Sequence, residues 1–115
     1  MSDDVISELL TLTVEVDEDG TIRYFNHLGQ KHRVHGPAVI RASSGTCSWW
    51  MNGQRHRTDG PAVEWSCGSK EWFHHGTAHR ADGPAVEWSN GDVEWWLNGE
   101  YLTEEEWYGR INTTR

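Results

Sequence analysis

The chain has 115 residues, a net charge of −8, and eight Trp against two Phe and three Tyr. That leaves room for one domain with a thin core, filled and faced by indoles. No apolar run approaches the ~18 residues of a membrane span, and the acidic total argues against general affinity for DNA or RNA.

Charge is unevenly spread along the chain. Residues 1–19 hold seven acids and no Lys or Arg; residues 20–60 hold six Lys or Arg and one acid, Asp59. Residues 61–106 hold ten acids and two basic residues. This order favours solubility and also offers an electrostatically patterned partner surface. The start, "MSDDVISELL", lacks the basic region of a signal peptide. Residues 2–10 present Val5, Ile6, Leu9 and Leu10 as an apolar side and are expected to form a short helix in an N-terminal cap, residues 1–12. Cys47 and Cys67 show no CxxC spacing and read as reduced thiols of a cytoplasmic protein.

From residue 13 the chain repeats itself. "TVEVDEDGTIR" (13–23) is half a unit, and "YFNHLGQKHRVHGPAVIRASSGTCS" (24–48) is a full unit with two single-residue insertions. "WWMNGQRHRTDGPAVEWSCGSKE" (49–71) then aligns without gaps to "WFHHGTAHRADGPAVEWSNGDVE" (72–94), a period of 23 residues. "WWLNGEYL" (95–102) begins another copy and stops.

Within each unit the signals are those of a β-hairpin. "PAVEW" alternates with the two-residue period of a strand, which puts Val63 and Trp65 on one face and Glu64 on the other. Gly68 or Gly91 supplies the turn, and "KEWFHH" or "VEWWLN" is the β-prone return strand, closed by Gly53, Gly76 or Gly99. The link "QRHRTDGPA" leads to the next hairpin, with Pro61 at the strand entry.

Hairpins that are marginal alone gain stability by stacking. The expected fold is mostly β, an elongated antiparallel meander over residues 13–102. Trp49, Trp72 and Trp95 should form one row, and Trp50, Phe73 and Trp96 a second on the opposite face, with Val63, Val86, Trp65 and Trp88 as a third. Residues 103–115 should form a capping helix. Thr103 and Glu106 have capping-box spacing, three acids fill the first turn, and Trp107 and Ile111 can pack on the last hairpin.

The aromatic pair, glycine, polar link and glycine turn recurring at this period resemble the MORN repeat, over roughly residues 13–102. Runs such as "WWLNG" and "HRxDGPA" look like MORN-variant repeats of bacterial and bacteriophage proteins. The resemblance implies an elongated β-hairpin scaffold for protein contacts, dimerisation and sometimes lipid contact. The added Pro and the His-Arg pair in every unit depart from that pattern.

Seven His invite a search for chemistry. His32, His56 and His79 occupy one repeat position, each followed by Arg33, Arg57 or Arg80, and Asp59 and Asp82 lie three residues beyond the His. A His–Asp pair could act in acid–base catalysis. A residue that recurs at every unit is better explained by a structural need, here a link hydrogen-bonded to the neighbouring unit. Stacked units would space these His by about 10 Å, too far to share one ion. His74 and His75, adjacent on a strand, should point to opposite faces. No nucleophile motif, P-loop or dinucleotide fingerprint occurs. Neither an enzyme, nor a metal, nor a cofactor is therefore expected.

What remains is binding. The candidate residues are Trp50, Phe73 and Trp96, or the alternate row Trp49, Trp72 and Trp95, with Arg57 and Arg80 beside them; such side chains commonly carry interface energy. The expected partner is a protein, and open sheet edges also suit a homodimer. The basic middle, with Tyr24, Phe25, Trp49 and Trp50, could instead stack a small nucleotide. By analogy with small acidic phage proteins, the alternative is an inhibitor of a bacterial defence system in the host cytoplasm. It would act by occluding a surface, mimicking DNA or sequestering a nucleotide signal.

Overall fold

Tight turns at regular intervals dictate short strands. The computed structural model describes residues 12–114. Along the chain come β1 (Thr13–Val16), β2 (Ile22–Phe25), β3 (Val39–Ile40), β4 (Cys47–Ser48), β5 (Trp50–Met51) and β6 (Gln54–Arg55). There follow β7 (Val63–Glu64), β8 (Lys70–Glu71), β9 (Phe73–His74), β10 (Thr77–Ala78), β11 (Val86–Glu87), β12 (Val93–Leu97) and β13 (Glu100–Leu102). The helix α1 (Glu104–Thr114) ends the described chain. Nine strands form one antiparallel meander in the order β1-β2-β3-β4-β7-β8-β11-β12-β13. The molecule is somewhat elongated, 45 × 33 × 22 Å. The helix expected over residues 2–10 lies outside the described residues.

Each full unit holds two hairpins rather than the expected one. The pairs β5–β6 and β9–β10 stand outside the main sheet. The cause is a change of hydrogen-bond partner at the first aromatic of each unit. The Trp72 N–H donates to the Ala85 carbonyl beside β11 at 2.7 Å, whereas the Trp72 carbonyl accepts from the His79 N–H beside β10 at 3.1 Å. Trp49 does the same with Ala62 at 2.7 Å and His56 at 3.0 Å. The strand therefore leaves one sheet at the indole and enters a small hairpin. That hairpin closes on a two-residue turn whose residues are both left-handed, Asn52 and Gly53 or His75 and Gly76 (φ 50° and 82°, 48° and 84°). In the last unit β12 runs unbroken through both pairings.

The core is as thin as the composition requires. Its repeating part is one Ala–Val pair per unit: Ala38 and Val39, Ala62 and Val63, Ala85 and Val86, all nearly inaccessible. Each buried Val contributes about 1.5–3 kcal/mol. Trp65 and Trp88 do not join the valines; they sit past the strand ends, 43% and 41% exposed, with indole N–H groups on Glu71 and Glu94. At the far end Leu97, Leu102 and Trp107 form a second cluster, with Trp95 and Ile111 against it. The capping box closes α1: Thr103 Oγ1 accepts from the Glu106 N–H at 3.1 Å, and Glu106 Oε1 accepts from the Thr103 N–H at 2.9 Å.

An arginine fixes each link. The Arg57 guanidinium lies 3.9 Å from the Trp49 ring centroid and Arg80 lies 3.8 Å from that of Trp72. Arg80 Nε donates to Asp82 at 2.8 Å, and its Nη1 donates to the Pro84 carbonyl and to Glu87, both at 3.0 Å. Arg57 repeats this with Asp59, the Pro61 carbonyl and Glu64. A Cβ on Gly60 or Gly83 would come within 3.0 or 2.9 Å of the guanidinium carbon. These glycines are needed for the space the arginine fills. Gly83→Ala should accordingly displace Arg80 and lower stability by about 1–2 kcal/mol in urea unfolding. Gly109→Ala, in α1 with open space around the new Cβ, should raise stability by about 0.5–1 kcal/mol.

Candidate functional site

The two aromatic rows have different neighbours. Trp49 and Trp72 are covered by Arg57 and Arg80, and Trp95 packs against Trp107 and Tyr108 with centroids 4.9 and 5.7 Å away. The predicted arginines thus belong to this row, which is occupied from within the molecule. Both arginines also have carboxylate partners.

Trp50, Phe73 and Trp96 keep different company. Trp50 is the cross-strand partner of Arg55, Phe73 of Ala78, and Trp96 of Tyr101. The Arg55 guanidinium bridges two rings, 5.2 Å from the Trp50 centroid and 5.6 Å from that of Phe73. Lys31 Nζ stands 4.7 Å from the Trp50 ring, and Trp96 and Tyr101 rings lie 5.1 Å apart. The three predicted aromatics are half-buried, and Arg55 and Tyr101 are exposed. Indole N–H groups are satisfied locally, Trp50 by Ser48 Oγ at 2.8 Å and Trp96 by Glu94 at 2.9 Å. The result is a ladder of rings and cations on one side of the small hairpins.

Lys31 and Arg55 take part in none of the ion pairs among the described residues. Their positive charge is uncompensated. Burial, and then Arg23, Arg41 and Arg55, hold the Lys31 ammonium below the usual lysine range. Sequence reading passed over both cations. The signal was present in Asn52-Gly53: a two-residue turn there pairs Trp50 with Arg55, and the repeat carries the same position back to Lys31.

On the link side the units meet through histidine. His32 Nδ1 accepts the Asn52 N–H at 3.0 Å, His56 Nδ1 the His75 N–H at 2.9 Å, and His79 Nδ1 the Asn98 N–H at 2.9 Å. Each acceptor serves a left-handed residue in the next unit's turn. The His–Asp pair weighed from sequence is not formed in these hydrogen bonds, since Asp59 and Asp82 are held by Arg57 and Arg80. Open grooves of about 590 and 790 Å³ separate successive links; Arg57 and Asp59 line both, with Trp49 in the first and Trp72 in the second.

One expectation is overturned here. His74 and His75 do not point to opposite faces; their rings lie 4.5 Å apart, and both approach His56, at 4.6 and 4.2 Å. Alternation of faces holds only for extended backbone, and His75 has φ 48°. Cys47 and Cys67 are free thiols outside this cluster. Among the described residues no helix is long and apolar enough to cross a membrane. Compared with known protein families, curated proteins and solved structures, the chain matches none.

Burial, then His75 and His74, lowers the His56 pKa from the ordinary 6.5; burial, then His74, lowers that of His79. The folded state thus holds fewer protons than the unfolded state at these sites. Their stabilisation is complete above pH 6.5 and is lost as pH falls through the lowered folded values. Urea unfolding followed from pH 7.5 to 5.5 in chelator should show stability declining toward acid. The decline should flatten in His56→Asn/His79→Asn, whose amide oxygens can still accept the turn N–H.

Proposed function

We propose that the protein is a non-enzymatic binding module that grips a protein partner with the ring-and-cation ladder of Trp50, Phe73, Trp96, Tyr101, Lys31 and Arg55. The observation that carries this reading is the pair of cations without carboxylate partners, held over half-buried rings in an otherwise acidic chain. Arg57 and Arg80 stack on the other row, and both are neutralised there. The Trp50 row is therefore the one in which both cations, Lys31 and Arg55, stand without a carboxylate partner among the described residues.

A partner segment that suits this face carries carboxylates for Lys31 and Arg55 and apolar side chains for Phe73 and Trp96. A carboxylate reaching Arg55 gains charge-assisted hydrogen bonds, and contact with the rings removes apolar surface from water. Central anchors of this type carry about 2 kcal/mol or more each. The resemblance to MORN repeats, which serve as scaffolds for protein contacts, supports the same reading.

The test compares one captured partner across charge variants. A protein retained by the tagged chain should be lost or weakened at least tenfold with Arg55→Glu, and its lysine crosslinks should include Lys31. Glu104→Lys, on α1, should retain it, and rising salt should weaken it. Equal retention by wild type and Arg55→Glu would refute the assignment of this face.

A further inference from the structure

We infer that His56, His74 and His75 form a binding site for a divalent transition metal of the Zn2+ class. One nitrogen from each ring lies within 4.8 Å of the others. Ligands on a shared Zn2+ stand about 2.0–2.1 Å from it, so their nitrogens must close to roughly 3.4 Å. His74 and His75 are exposed and His56 half-buried, so rotation of two surface side chains supplies that movement. Three imidazoles without a carboxylate select Zn2+, Ni2+ or Cu2+ over Mg2+ or Ca2+. With three protein ligands, the remaining coordination position is left to water.

The repeat shows that the imidazoles of His74 and His75 answer no structural need of the array. The position of His74 holds Met51 and Leu97 in the neighbouring units, and that of His75 holds Asn52 and Asn98. Asn52 and Asn98 make the same left-handed turn, at φ 50° in each case, and donate the same N–H to a preceding histidine. Two imidazoles have been added at one unit boundary, against a histidine that every boundary already has. His74 also lines the groove of about 790 Å³ between successive links, which gives an ion an open approach.

Binding has a built-in consequence for the fold. His56 Nδ1 accepts the His75 N–H at 2.9 Å, so the neutral ring carries its proton on Nε2. Ligation through Nδ1 takes the lone pair that holds this N–H. Ligation through Nε2 moves the ring proton to Nδ1, which then faces the N–H as a second donor. By either nitrogen the metal releases the His75 amide, the pin between the second and third units. The boundary between His79 and Asn98 keeps its own bond.

The experiment uses the full chain and ZnCl2 at pH 7.5. Calorimetry should show one Zn2+ per chain, with affinity falling at least tenfold in His74→Leu/His75→Asn, which installs the residues of the neighbouring units. In the wild type, saturating Zn2+ should speed exchange of the His75 amide at least tenfold and leave that of Asn98 unchanged. Absence of Zn2+ binding, or equal affinity in wild type and variant, overturns the site. An unaltered His75 amide at saturation overturns His56 as a ligand, and this readout does not depend on the variant.

Discussion

The array depends on a guanidinium laid over an indole and roofed by a glycine. Ion pairs at a protein surface contribute little by themselves, and the aspartates beside Arg57 and Arg80 are largely exposed. What makes the arrangement effective is its geometry. The arginine stem and plane cover a ring that the thin Ala–Val layer cannot bury, and Nη1 holds the proline carbonyl that starts the next strand. The link is thereby fixed at both ends, and the next strand enters the sheet in register. The first unit keeps the stacking, Arg33 over Tyr24 at 4.0 Å, and the proline contact, Pro37, but has His35 and Ile40 where the others have Asp and Glu.

That division of labour explains why equal-looking cations have unequal prospects. Arg57 and Arg80 are consumed in building the links. Lys31 and Arg55, on the opposite side of the small hairpins, hold rings in place but remain electrostatically unmatched. An acidic protein that leaves two neighbouring cations bare has concentrated its positive potential where aromatic surface is also accessible.

Much of the architecture was legible in the letters. The 23-residue period, the glycine turns and the capping box at Thr103 and Glu106 carry the meander and its terminal helix. The split at Trp72 was not legible, because "KEWFHH" is β-prone throughout and only the change of backbone partner divides it. The convergence of His74 and His75 was hidden for a related reason. A side chain's direction follows φ, and "HHG" does not announce that its second His takes the role Asn has elsewhere. Of the residues proposed for binding, the aromatic rows could be written down from periodicity, whereas Lys31 and Arg55 required the hairpin register.

Every boundary between units uses the same backbone grammar. The turn glycine donates to the preceding unit, as Gly53 to Lys31, Gly76 to Arg55 and Gly99 to Ala78, and the link arginine N–H donates forward to Trp50, Phe73 or Trp96. Any module can therefore follow any other, and the array can grow or shrink by whole modules, because a one-residue slip of these pairings would set donors against donors. Duplication or excision of one period leaves no mismatched seam. In such an interchangeable series the paired imidazoles of the third module act as an address, marking one seam among otherwise equal ones.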